Sequence, residues 1–255
     1  MSKVILFSNQ KGGVGKTTLT REMGFYLAST GRRVLLIDCD GQGNLSKGIA
    51  ADIKMSLYDA LEGEPIEFFE VCANLFLLSG DNRLSALEKR LTGELDAFTR
   101  LKSLLEQDEF SSFDYILLDT PPSLGTLTIN ALAVSDELII PMSPALYTLQ
   151  GTNDLVDTVG KVKASLNPNL NILGVIINGY DSVPVITREI RSEIEEAFGE
   201  RVFSSVLPKS IKVEEAIAVK QSVLNLKTTK QSRKVQEAVN SIGAELLLRL
   251  GVNHE

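Results

Sequence analysis

The feature that most constrains this chain is the run Lys11-Gly12-Gly13-Val14-Gly15-Lys16-Thr17-Thr18, set close behind the short apolar stretch Val4 to Phe7. Glycines at this density let the backbone fold tightly, so that successive N–H groups face one point. The residues that follow, from about Lys16 to Ser29, have helical patterning closed by Gly31. The positive end of that helix's dipole falls at the same point, so strand, glycine-rich turn and helix N-terminus together form an anion site. Gly12 to Thr18 would cradle phosphates, with Lys16 reaching the β- and γ-phosphates and the Thr17 hydroxyl on Mg²⁺. A plain glycine-rich turn without a ligand is the alternative reading. The strict pattern for such loops also fails here, because Gln10 stands where the first glycine belongs.

The rhythm of strand and helix then repeats. Strand-like runs at Val34 to Ile37, Leu75 to Leu78, Tyr115 to Leu118, Glu137 to Ile140 and Ile172 to Ile177 alternate with helical patterns. Those patterns lie near Leu84 to Leu105, Leu127 to Val134, Thr152 to Leu166 and Thr187 to Phe198, with a short strand predicted at Val202-Phe203 and helical segments on to Leu250. Such alternation predicts an α/β fold: a mostly parallel central sheet with helices on both faces and ligands at the carboxyl ends of the strands. No repeat or linker divides the chain, so residues 1–255 are expected to form a single domain.

Two of those strand ends carry carboxylates. Leu35-Leu36-Ile37 runs into Asp38-Cys39-Asp40-Gly41-Gln42-Gly43-Asn44, and Tyr115-Ile116-Leu117-Leu118 into Asp119-Thr120-Pro121-Pro122-Ser123. A carboxylate fixed beside a phosphate loop can bind Mg²⁺, directly or through water, or orient an attacking water. Capping of the following turn is the competing role, for Asp38 above all.

Composition narrows the chemistry further. The single histidine, His254, is next to the terminal residue, so acid–base work must fall to carboxylates, lysines and a bound metal. The two cysteines, Cys39 and Cys72, stand apart and read as reduced core thiols, not as a disulfide or a zinc site. No apolar run reaches the roughly 18 to 20 residues of a membrane span, and no secretory signal is evident, so a cytoplasmic protein is expected. A net charge of −7 argues against a chain that coats nucleic acid over its whole surface. The segment from Ser204 to Val235 departs from that background, with Lys209, Lys212, Lys220, Lys227, Lys230, Arg233 and Lys234 against Glu214 and Glu215.

K-G-G-V-G-K-T-T resembles the deviant Walker A motif of the ParA/MinD/Soj superfamily, and the chain as a whole resembles the ParA/Soj-type DNA-partition ATPases. In that family the early lysine, here Lys11, reaches the partner's ATP across a nucleotide-sandwich homodimer. Asp38 to Asn44 is similar to the family's D-x-D-P-Q-G-N segment, whose second aspartate, here Asp40, is the catalytic one. Gly41 takes the place of the usual proline, which leaves that loop less restricted. Asp119 matches the Walker B carboxylate, and Thr120 to Ser123 the switch segment. The resemblance extends to Leu127-Thr128-Ile129-Asn130-Ala131-Leu132, Ile140-Pro141, Tyr147-Thr148-Leu149-Gln150-Gly151, Gly174 to Asp181, and Val206 to Ala216. It implies that Asn178 and Pro208 lie near the adenine, Asn178 being equally a plain turn former.

The implied protein is a slow, partner-stimulated ATPase using ATP and Mg²⁺, with Lys11, Lys16 and Asp40 catalytic and Thr17, Asp40 and Asp119 around the metal. Its ATP-bound dimer would bind non-specific DNA, with Lys209, Lys212, Lys227, Lys230, Arg233 and Lys234 as the contacts, and would act with a ParB-type centromere-binding protein on the nucleoid of a prokaryote. No N-terminal helix-turn-helix extension is expected. The basic residues also read as an ordinary solvated helix face. A MinD-like membrane-positioning ATPase is the main alternative, but the stretch Ala244 to Gly251 has one arginine and lacks the cationic face that anionic lipids attract. It is expected to pack on the core, with no stable membrane association. A metabolic ATPase without DNA binding, an amide-forming ligase and a non-hydrolysing scaffold remain open, whereas neither cysteine is placed like an iron–sulfur ligand.

Overall fold

The computed structural model describes residues 2–50, 53–145, 150–181, 183 and 185–252. Tyr147, Thr148 and Leu149, part of one resemblance landmark, and His254 lie outside the described residues. Eight strands form one sheet: β1 (Lys3–Phe7), β2 (Val34–Asp38), β3 (Phe69–Cys72), β4 (Leu75–Leu78), β5 (Tyr115–Asp119), β6 (Glu137–Met142), β7 (Asn171–Tyr180) and β8 (Leu207–Pro208). Their order is β3-β4-β2-β5-β1-β6-β7-β8, and every pairing is parallel except that of edge strand β3 with β4.

The period-two geometry of a strand divides the core into two layers. Val4, Leu6, Leu35, Ile37, Ile116 and Leu118 face one way, toward α4 (Arg83–Leu91), α5 (Arg100–Leu105), α6 (Thr126–Val134), α7 (Gln150–Ser165) and α8 (Val185–Phe198). The alternating residues Ile5, Phe7, Val34, Leu36, Tyr115 and Leu117 face α1 (Lys16–Ser29) and α10 (Lys230–Arg249). Burial on both faces is why the central strands read as unbroken apolar runs and not as alternating ones. The expected packing of the C-terminal stretch holds. Val239, Ile242, Leu246 and Leu247 are buried, and α10 lies so close to α1 that a Cβ on Gly243 would meet the Tyr26 ring at 2.2 Å.

Three expectations are corrected. The helix predicted from Leu84 to Leu105 is two helices, α4 and α5, separated by residues 92–99. The break is stabilised by Asn130 of α6, whose side chain accepts from Leu101 N at 3.1 Å and donates to Ala97 O at 2.6 Å, satisfying backbone groups that a continuous helix would have paired itself. Val202-Phe203 is no strand: Val202 makes an isolated bridge to Val175, and β8 follows at Leu207–Pro208. Cys39 is a core thiol as expected, whereas Cys72 is exposed because β3 is an edge strand with one neighbour. Three further elements carried too little periodicity to predict: β3, α2 (Asn44–Ile49) and α3 (Leu57–Leu61).

Asn130 is 1% exposed, so Asn130→Ala would leave buried backbone groups unpaired. The expected loss is about 2 kcal/mol or more of unfolding free energy, to be measured by urea denaturation; a change within about 0.5 kcal/mol would show that the break between α4 and α5 does not depend on this side chain.

Candidate active site

Register brings the charged residues together. Asp38 pairs with Asp119 across β2 and β5, and Phe7 pairs with Asp119 across β1 and β5, so the loops after all three strands open at one edge of the sheet. Residues 8–15 turn from β1 into α1. Asn9 braces this turn, donating to Pro141 O at 2.8 Å and accepting from Lys11 N at 3.0 Å. Gly15 has φ +93°, and a Cβ there would lie 2.0 Å from Asn178 Nδ2, so glycine is required on both counts. Helix α1 has no side-chain cap and no acidic residue in its first turn. Its N-terminal amides and dipole are thus left for an anion from outside.

Lys16 is buried at this helix end, 7% exposed, with Nζ 3.3 Å from Lys11 O. Burial lowers its ammonium from the usual range, opposed by the charges of Asp119 and Asp40. Thr17 Oγ1 donates to Asp119 Oδ2 at 2.7 Å, while the other oxygen, Oδ1, is buried without a partner. Burial, and next the charge of Asp38, push the Asp119 carboxyl well up; the Thr17 hydrogen bond and Lys16 oppose this. Asp40 is 8% exposed and accepts from Gln42 N at 2.9 Å, which fixes its turn. Asp38 accepts from Ser46 Oγ at 2.7 Å, Ser46 N at 2.9 Å and Asp40 N at 3.1 Å. Those three bonds make Asp38 the residue that ties the Asp40 turn to α2.

Three buried carboxyls and one buried lysine at these strand ends leave a deficit of positive charge. With the unpartnered Asp119 Oδ1 on the carboxyl that the Thr17 hydroxyl contacts, this fits a divalent cation, which Thr17, Asp119 and Asp40 would hold. Among the described residues no group of three or more His, Cys, Asp or Glu is arranged as a metal cage. The set suits Mg²⁺, which keeps several waters and takes few protein ligands alongside phosphate oxygens.

A cleft of about 530 Å³ opens beside the loop, bordered by Gly13, Thr18, Ser143, Asn178, Pro208 and Lys209. Asn178 and Pro208 both line it, and its volume is within the range of small-molecule sites. Asn178 Nδ2 donates to Val14 O at 3.0 Å, so this amide nitrogen braces the loop. The basic candidates do not all share a surface. Lys209 lines the cleft, and Lys212 pairs with Glu215 at 2.6 Å on α9 (Ile211–Ala218). Lys227, Lys230, Arg233 and Lys234 are exposed on and just before the first turn of α10, where no acidic residue balances them.

Sequence reasoning missed how α4 holds both carboxylate loops. A Cβ on Gly41 would meet Ser85 Oγ at 2.3 Å, so glycine here lets α4 seat against the Asp40 loop and does not free that loop. Glu88, also on α4, accepts from Leu127 N at 3.2 Å at the start of α6. On the other side Thr120 Oγ1 lies 3.0 Å from Ser8 Oγ, joining the switch segment to the phosphate loop. Only a motif at helical spacing could have pointed to Ser85 and Glu88, and the sequence offers none.

The parallel sheet, the loop at the end of its central strand and the carboxylates on the neighbouring strand ends define a P-loop NTPase. The AAA domain family matches residues 2–172. The chromosome-partitioning ATPase Soj of Treponema pallidum is 37% identical over 220 residues, covering 85% of this chain and 87% of that protein. The chromosome partitioning protein ParA of Caulobacter vibrioides is 36% identical over 230 residues, with 87% and 86% covered. Among solved structures, cobyrinic acid a,c-diamide synthase from Mycobacterium smegmatis with bound ADP and magnesium superposes with a TM-score of 0.83 at 27% identity, covering 98% of this chain and 96% of that one. The chain belongs to the Soj/ParA family of partition ATPases within the AAA domain group.

The buried carboxyls carry a pH signature. Burial, its largest cause, holds Asp38 up at about 6, with the charge of Asp40 adding and the Ser46 and Asp40 hydrogen bonds opposing. A carboxyl whose folded value lies above its unfolded one takes up protons on folding, so its contribution to stability falls as pH rises between roughly 4 and 6 and stays at its minimum above that window. Asp38→Asn is therefore expected to be more favourable, relative to wild type, at about pH 7.5 than at about pH 5 in thermal melts of the nucleotide-free protein. Equal effects at both pH values would remove the burial of a charged Asp38 from the account.

Proposed function

We propose that this chain binds Mg²⁺·ATP in the loop Gly12 to Thr18, dimerises on it and, in that state, binds DNA non-specifically to drive partition of plasmid or chromosomal DNA. The observation that carries this is the uncapped start of α1 with buried Lys16 facing the Thr17–Asp119 pair, in a chain of the Soj/ParA family. Lys16 would take the β- and γ-phosphates, Asn178 and Pro208 would border the base, and the metal would supply charge neutralisation on the phosphates. Asp40, fixed by its turn, would orient the attacking water, and Lys11 would stabilise charge on the partner subunit's nucleotide. Turnover would be slow and set by a ParB-type partner.

DNA affinity would come from phosphate contacts. Lys230, Arg233 and Lys234 crowd the positive end of the α10 dipole, an arrangement that disfavours the isolated helix and favours a phosphate. With Lys227 they form the stronger part of the set, since Lys212 is already paired with Glu215 and Lys209 sits in the cleft. A homodimer would double this patch. No helix among the described residues is long and apolar enough to cross a membrane. Helix α10 buries Val235, Val239, Ile242, Leu246 and Leu247, which supports DNA over lipid as the surface it would meet.

A metabolic synthase is the second reading, favoured by the likeness to the Mycobacterium smegmatis structure. ATP turnover by the chain alone, accelerated by DNA and a ParB-type protein, separates the two.

The test is DNA binding by wild type, Lys11→Ala and Asp40→Ala with ADP, ATP and a slowly hydrolysed ATP analogue, across a salt series and beside a liposome control. Wild type should bind DNA with ATP and not with ADP, with affinity falling steeply with salt. Lys11→Ala should bind nucleotide but neither dimerise nor bind DNA, and Asp40→Ala should hold DNA while losing turnover. Binding to liposomes alone, or DNA binding indifferent to nucleotide, contradicts the proposal.

A further inference from the structure

One turn beyond Lys16, α1 buries two charged residues that nucleotide chemistry does not use. Arg21 and Glu22 are 1% and 0% exposed and pair with each other. The Arg21 guanidinium also donates through Nη2 to Gln221 O, and to Ala216 O at 3.4 Å. Glu22 Oε2 accepts from Ser222 Oγ at 2.6 Å and Val223 N at 3.1 Å. These partners lie at two helix ends of opposite polarity. Ala216 and Gln221 present carbonyls where α9 finishes, and Ser222 and Val223 present donors where the short 3₁₀ turn Val223–Asn225 begins. The cation meets the carbonyl end and the anion the amide end, so one ion pair closes both.

Packing alone does not explain the pair. Two desolvated charges cost several kcal/mol each, and a well-packed apolar pair of the same volume is often as stable or more so; Arg21 Nε even remains without a partner. What the pair does is tie the end of α9 to α1, and residues of α9 face the cleft beside the phosphate loop: Val213, Glu214 and Ile217 line it together with Pro208, Lys209 and Ser210. The strand before α9 pairs with β7 at two residues. We infer that Arg21 and Glu22 are positioning residues that set the α9 wall of the cleft and hence its fit to the nucleotide base, while Lys16 and the phosphate loop, on the same helix, hold the phosphates. This rests on the proposed nucleotide reading.

The experiment uses the full chain with Arg21→Met, Glu22→Gln, the double variant and the conservative Arg21→Lys, each checked for folding by circular dichroism and thermal melting. Two probes are compared: ATP, and inorganic tripolyphosphate, which offers the phosphates without a base. The expected result is an ATP KM raised about tenfold in Arg21→Met and Glu22→Gln, with kcat within about twofold and tripolyphosphate inhibition unchanged. Arg21→Lys, able to reach one carbonyl, should recover part of the KM. Variants that lower the melting temperature and the active fraction but keep the wild-type ratio of ATP to tripolyphosphate affinity would overturn the inference, as would equal losses for both probes. If Glu22→Gln alone fails to fold, Arg21→Lys and Arg21→Met still decide. Wild type that binds no ATP would overturn the nucleotide reading and the inference with it, whereas wild type that binds ATP beside unchanged variants would overturn the inference alone.

Discussion

The structure depends on one electrostatic imbalance: Asp38, Asp40 and Asp119 are buried at the carboxyl ends of adjacent strands, with Lys16 as the buried cation beside Asp40 and Asp119. Water would have solvated each of these groups in the unfolded chain, and the fold returns little of that solvation without further positive charge. Hydrogen bonds from Ser46, Gln42 and Thr17 offset part of the cost and fix the geometry. The remaining deficit is what a metal–nucleotide complex would fill. Unfavourable charge burial at these strand ends is supported by the apolar layers on both faces of the sheet, as expected of a binding centre.

That centre is held from two sides. Helix α4 reaches the Asp40 loop through the close approach of Ser85 to Gly41, and the start of α6 through Glu88. Helix α1 reaches the far wall of the cleft through Arg21 and Glu22. The loops after β2 and β5 are thus joined by side-chain contacts to α2, α4 and α6.

Much of this was legible in the sequence because it is local. A glycine-rich loop, a helix start and a carboxylate at the end of an apolar run are patterns of neighbours, and parallel register brings the ends of β1, β2 and β5, and so the loops that carry Lys16, Thr17, Asp40 and Asp119, to one edge. What escaped was set by partners distant in sequence. Asn130 ends one helix and starts another in a segment 29 to 33 residues away, so Leu84 to Leu105 reads as one periodic helix. Cys72 is exposed because β3 is an edge strand, a property of sheet order. Gly41 suggests a loose loop until Ser85 is found packed on it. The basic segment was read as one set, yet tertiary placement separates Lys209 in the cleft and Lys212 in its ion pair from the α10 cluster.

The buried Asp119–Thr17 pair would be completed by a metal-bound nucleotide. The most direct test is a calorimetric titration of the wild-type chain with ATP, with magnesium present and with magnesium chelated, beside Asp119→Asn. The account expects ATP to bind at least about tenfold more tightly with magnesium, and this advantage to disappear in Asp119→Asn. ATP affinity indifferent to magnesium, or an advantage that survives in Asp119→Asn, would contradict it.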